Sequence, residues 1–212
     1  MIRTPKCLGW LTIAIVMLAI TCISPSLTQA YPEPAIVPQS WDLNITYGKP
    51  QPIAVTDIDG QVKWYWYITY KVTNNTGQDQ LFVPEVQLAT DAGDLITSGK
   101  DVPSAVFFAI KKGQGNSLLE SPNQVVGRLL QGEDFARESV IVWPAFEHDI
   151  AELNLFMAGL SGETAAVKNP MTDESVTVRK VLMLTYSFPG DDMNTPKKQQ
   201  AIKELDKKWI MR

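Results

Sequence analysis

The sequence predicts a mainly β protein, an antiparallel sandwich with one short inserted helix and a C-terminal amphipathic helix, on three observations. From Val62 to Thr73 the residues alternate without a break: Val62, Trp64, Trp66, Ile68, Tyr70 and Val72 fall on one face, and Lys63, Tyr65, Tyr67, Thr69, Lys71 and Thr73 on the other. This is the period of a half-buried strand, and its two tryptophans mark it as central, with the Trp face toward the core. Roughly six to nine such segments, short and separated by Gly, Pro, Asn and Asp, follow one another along the chain. Strands and helices do not alternate, and no repeat of fixed period is present, which excludes a parallel nucleotide-binding sheet and a solenoid.

Residues 1–30 have a basic start (Arg3, Lys6), an apolar run from Leu8 to Ile23, a breaker at Pro25 and a small-residue exit at Thr28-Gln29-Ala30. That is the pattern of a secretory signal peptide cut after Ala30. The alternative is an uncleaved membrane anchor, but the apolar run is shorter than the roughly 20 residues that span a bilayer. A lipid anchor on Cys22 would need a small residue where Thr21 stands. Both cysteines, Cys7 and Cys22, lie in this leader, so the remainder can form no disulfide and must be held by its core.

The 19 basic side chains fall to 17 when Arg3 and Lys6 are set aside, against 23 acidic ones, which argues against nucleic acid as a partner. The charge is uneven. Residues 31–194 carry 11 basic and 21 acidic side chains, whereas Thr195 to Arg212 carry 6 basic and 2 acidic.

Taken in order, Tyr31 to Ser40 holds three prolines and is an extended entry segment. Trp41, Leu43, Ile45 and Tyr47 share one face of a first strand, which Gly48 to Pro52 breaks, and the β-sandwich domain is expected over 41–194. Ile53 to Thr56 is a short strand, and Asp57-Ile58-Asp59-Gly60 turns into the aromatic strand. Asn74-Asn75-Thr76-Gly77, followed at once by the apolar run Leu81 to Leu88, predicts a hairpin. Asp91 to Asp94 is a turn and Leu95-Ile96-Thr97 a short strand. Asp101-Val102-Pro103-Ser104 starts a helix carrying Val102, Val106, Phe107 and Ile110 at helical spacing and ending at Gly113. Strands follow at Val125 to Leu130, Glu138 to Trp143, Ile150 to Leu160 (Leu153, Leu155 and Met157 inward) and Ser175 to Phe188 (Val176, Val178, Leu182, Leu184 and Tyr186 inward). Over 195–212, Thr195 caps a helix with Pro196 in its first turn, and Ile202, Leu205 and Trp209 form one stripe.

The aromatic strand running into Val72-Thr73-Asn74-Asn75-Thr76-Gly77, together with Phe156-Met157-Ala158-Gly159-Leu160-Ser161-Gly162-Glu163 and the leader, resembles uncharacterised exported bacterial proteins with an immunoglobulin-like β-sandwich. The resemblance implies architecture and export. It carries no catalytic or binding residues.

No motif for catalysis or metal binding is complete. Ser161 lies in Gly-Leu-Ser-Gly-Glu, where a nucleophile elbow needs a final glycine, and a triad would have to use His148, the one histidine. Zinc lacks thiolates and a second imidazole. The acidic turns at Asp57, Asp59, Asp91, Asp94, Asp191 and Asp192 have oxygen ligands suited to calcium but no full loop pattern, and no cofactor is implied. Asn44-Ile45-Thr46 and Asn74-Asn75-Thr76 match the glycosylation acceptor, with strand alternation and turn chemistry as their plainer explanations. Two surfaces remain. Tyr65 and Tyr67, opposite the tryptophans, would form a sugar-binding platform if exposed, and are core if the helix covers them. The stripe Ile202, Leu205 and Trp209 either docks on the protein itself or is presented to a partner groove or anionic membrane, with self-docking preferred because the stripe is narrow. The expected function is therefore that of an exported, non-enzymatic protein binding or supporting a protein or polysaccharide component. The alternatives are a secreted hydrolase with a carboxylate site or a carbohydrate-binding module.

Overall fold

A computed structural model describes residues 31–146, 148–169, 171–188 and 202–212. The leader, Asp191, Asp192 and the expected helix start at Thr195-Pro196 lie outside the described residues. The elements are β1 (Asn44–Tyr47), β2 (Gln51–Thr56), β3 (Val62–Thr73), β4 (Gln80–Phe82), β5 (Glu85–Thr90), β6 (Leu95–Thr97), α1 (Ser104–Gln114), β7 (Gly127–Leu129), β8 (Arg137–Pro144), β9 (Glu152–Ala158), β10 (Thr164–Lys168), β11 (Ser175–Ser187) and β12 (Lys203–Met211).

The aromatic strand β3 is central, as its tryptophans predict. Along one edge it pairs antiparallel with β2 (Thr56↔Val62 to Gln51↔Tyr67) and then β1 (Tyr47↔Tyr70 to Asn44↔Thr73). Along the other it pairs with β8 (Tyr65↔Pro144 to Val72↔Arg137). The second sheet runs β12-β11-β9-β5-β6, all antiparallel. Successive amides of β11 point to opposite sides, so Arg179 exchanges both backbone bonds with Arg212, while the amide of Lys180 donates to the Glu163 carbonyl. Hence β10 continues the β9 side of β11. It was not legible in the sequence, because Thr-Ala-Ala-Val-Lys has no alternation of large residues.

The two sheets face each other across one core. Trp66, Ile68, Tyr70, Val72, Ile141 and Trp143 come from the first, and Val86, Leu88, Leu153, Leu155, Met157, Leu182, Leu184 and Tyr186 from the second. These are the inward positions of period-2 strands, and burying a large apolar side chain is worth about 1.5–3 kcal/mol each. Val176 is an exception: it is half-exposed, because there β11 has run past β9 and pairs only with β10. A third layer is α1, which lays Val106, Phe107 and Ile110 on the outer face of the first sheet, against Tyr65, Tyr67, Val140 and Val142. The helix ends at Gly115, whose left-handed backbone (φ 62) lets its amide close on the Lys112 carbonyl, with Lys111 and Lys112 complementing the last turn. No helix among the described residues is long and apolar enough to cross a membrane.

Two expectations are corrected. The segments on either side of Asn74 to Gly77 do not form a hairpin, since both edges of β3 are already taken by β1, β2 and β8. Instead, the buried Asn74 side chain knits the turn, accepting from the Thr76 amide and donating to the Gln78 and Leu129 carbonyls. The chain then enters β4, which pairs with β7, and crosses to the second sheet as β5. Gly159 permits this crossing, because a Cβ there would lie 2.3 Å from the Val83 carbonyl oxygen.

The expected C-terminal helix is, over Lys203–Met211, an edge strand of the second sheet. Ile202, Leu205 and Trp209 have helical spacing, but a register shift at Leu205 breaks the strand's own period. Ile202 packs in the core and Trp209 against it, while Leu205 faces solvent. The apolar positions on both sides of a β-bulge thus imitate a helical stripe. Docking on the protein's own body is what the described residues show, and the docked element is a strand.

Candidate functional site

The exposed aromatic platform is not formed. Tyr65 and Tyr67 are 5% and 7% exposed beneath α1, and the Tyr67 hydroxyl accepts from Gln114 Nε2 at 2.8 Å and donates to Gln51 Oε1 at 2.9 Å. Ser161 and His148 are not brought together. The Ser161 hydroxyl accepts from the Glu163 amide (3.1 Å) beside β1, whereas His148 Nε2 pairs with Asp94 Oδ2 (3.0 Å) at the β5–β6 turn.

The described acidic turns are engaged by protein donors. Asp57 accepts from the Asp59 and Gln61 amides and pairs with Lys63, so its carboxyl is held below the usual range, mainly by Lys63 and then by the Gln61 amide. Asp91 accepts from the Ala151 amide, and Asp94 takes His148 and the Thr90 hydroxyl. Among the described residues no group of three His, Cys, Asp or Glu side chains is placed to hold a metal.

Sequence reading also missed a buried charge cluster. Lys180, 4% exposed, reaches Asp42 Oδ2 at 2.7 Å and Glu163 Oε2 at 3.4 Å, and its ammonium stands over the Trp209 ring at 4.9 Å. Glu163 Oε1 in turn accepts the amide of Ala35. Gly162 lies so close under Ser40 and Trp41 that a Cβ would meet them at 2.5 Å. The cluster fastens the extended entry segment to β11 and β12. It is a structural clasp, because each charge is turned toward another charge of the protein.

Three surface clefts differ in what they leave free. The first, about 310 Å³, is lined by Thr46, Tyr47, Thr69, Gln114, Asn116 and Glu138. Its side-chain amides are already spent on Tyr67 (from Gln114) and on Glu138 (from Asn116). The second, about 120 Å³, lies on the outer face of the second sheet, where the Arg212 guanidinium stacks on Phe156 at 4.2 Å and Arg179 pairs with Glu85.

The third, about 420 Å³, lies where the two sheets part, between β6 and Pro144–Phe146. At one end Val142 of β8 is tied to the chain just after β6: Gly99 donates to the Val142 carbonyl (2.8 Å), and the Val142 amide donates to Ser98 Oγ (3.1 Å). From that junction β6 and β8 diverge toward the other end, where His148–Asp94 and Asp91–Ala151 pin the following loop to the β5–β6 turn. Ile96, Ala145 and Phe146 form the apolar wall, packed against the main core, and Lys100 and Asp101 stand at the rim.

One side of this cleft is a sheet edge. Ser98 donates to the Val86 carbonyl and Thr90 to the Asp94 carbonyl, so 94, 96 and 98 bond toward β5 while 95 and 97 point away. The Thr97 carbonyl is closed off by the Lys100 amide. The Leu95 amide, the Leu95 carbonyl and the Thr97 amide have no hydrogen-bond partner among the described residues. No local signal could have revealed this, because β6 and β8 belong to different sheets and, among the described residues, are tied by the hydrogen bonds of Ser98 and Gly99, just after β6, to Val142.

Comparison with protein families, with curated proteins and with solved structures returns no match to this chain.

Proposed function

We propose that this chain is an exported, non-catalytic protein of immunoglobulin-like build that binds another component of the cell envelope or extracellular space through the cleft beside β6. Support for export comes from the leader pattern of residues 1–30. The immunoglobulin-like assignment draws on the two antiparallel sheets facing across one core and on the strand ending in Val-Thr-Asn-Asn-Thr-Gly.

The binding reading rests on one observation. Beside β6 an apolar wall and main-chain groups with no hydrogen-bond partner among the described residues share one opening, whereas Ser161, Tyr67, Asp57 and Asp91 are engaged by groups of the protein itself. Binding sites combine apolar lining with a few free polar groups in this way.

Position-resolved photocross-linking tests it. A photoreactive amino acid at Leu95 should capture a discrete envelope component, and the same probe at Leu118, exposed at 76% on the loop after α1, should not. Equal capture at both positions, or capture at Leu118 alone, would remove the cleft from the account. The expected mass of the exported protein is that of a chain starting at Tyr31.

A further inference from the structure

We propose that the ligand of this cleft is a short extended polypeptide segment, which adds a strand to β6; this rests on the binding reading above. The groups without a hydrogen-bond partner among the described residues are the Leu95 amide and carbonyl and, two residues on, the Thr97 amide. Donors and acceptors at alternate residues of one strand are what the backbone of a neighbouring strand satisfies, and sugars or small anions do not present that repeat.

The edge is short. Three residues of β6 offer about 10 Å of pairing, and at the far end Val142 already occupies the place of the next strand. The segment is therefore brief, held between the β5–β6 turn, where His148 meets Asp94, and the Gly99–Val142 junction. Short edges also guard against open-ended sheet growth, so selective capture of a brief segment is compatible with a soluble protein.

Side-chain preference follows from the pleat. Ile96 points to the core side, and a strand laid beside it places its alternate side chains on that same side, against Ala145 and Phe146. The segment should therefore carry an apolar residue opposite Ile96, flanked by residues that tolerate solvent. Its charge follows from the body, which with β12 included has 17 basic and 23 acidic side chains over residues 31–212, so basic flanks are favoured over acidic ones.

The test is selection from a phage-displayed library of random dodecapeptides, followed by affinity measurement on a synthetic consensus peptide. Thr97→Pro removes one outward amide and leaves the bonds to β5 in place, and an edge strand accepts proline at such a position. It should weaken the peptide about tenfold, with the melting temperature little changed. N-methylation of the peptide, residue by residue, needs no change in the protein. Alternate residues should lose binding and the ones between should keep it.

Binding that ignores both changes, or methylation losses without period two, would overturn strand addition. So would a library that yields no binder. If cross-linking at Leu95 persists in those cases, the cleft still binds and only its ligand class has been misassigned. Concentration-dependent self-association abolished by Thr97→Pro would give the edge to a second copy of this chain and also overturn the proposal.

Discussion

Tyr186 sits in the main core with a hydroxyl that has no hydrogen-bond partner among the described residues. An unpaired buried hydroxyl costs about 1–3 kcal/mol, so Tyr186→Phe should leave stability at neutral pH unchanged or raise it by about 1 kcal/mol, as read by urea denaturation. Burial pushes its phenol up, and the neighbouring Glu204 and Tyr47 add to this. Burial also raises Tyr70, to about 12. In an unfolded chain a tyrosine ionises near pH ~10. The folded state therefore holds the proton more tightly; this contribution is complete below pH ~10 and is lost as pH rises through about 12. The melting temperature should fall across that window, and less steeply in Tyr70→Phe. Lys180 is the opposite case, a buried charge that is fully committed. Lys180→Met strands Asp42 and Glu163 and should cost about 3 kcal/mol, measured in the same denaturant series.

At the scale of elements, period-2 alternation located β1, β3, β9 and β11, because each buries one face against the opposite sheet; β8 was legible instead as a continuous apolar run, because α1 covers its other face. Helical spacing placed α1, where Val106, Phe107 and Ile110 needed a covered face. Alternation failed at β10, whose small residues bury little, and at β12, where the bulge at Leu205 shifts the pattern into helical spacing. Partnership was less legible than type. The turn at Asn74 to Gly77 has hairpin chemistry, yet whether a turn returns a strand to its neighbour depends on which edges are already occupied. Because β12 is an integral strand with Ile202, Trp209 and Met211 buried or packed inward, removing residues 202–212 should lower the melting temperature by well over 10 °C and expose the β11 edge. Circular dichroism should show loss of strand signal and no loss of helix. Unchanged stability would contradict the docked strand.

At the scale of the whole molecule, the candidate site lies where two sheets part, and that is why the sequence did not disclose it. Leu95 is far along the chain from Phe146 and His148 and shares no motif with them; the Ser98–Val142 junction and the His148–Asp94 pair bring them to one opening. The surfaces that sequence did single out were absorbed by packing: Tyr65 and Tyr67 under α1, and Ile202 and Trp209 into the second sheet. Backbone amide hydrogen exchange, resolved by residue, bears most directly on the β6 edge as the binding surface. In the free protein the Leu95 and Thr97 amides should exchange fast while the Ile96 amide, bonded to β5, is protected. With the selected peptide at saturation, Leu95 and Thr97 should slow by about tenfold or more. Unchanged exchange at both amides, with protection gained on another face, would contradict the assignment.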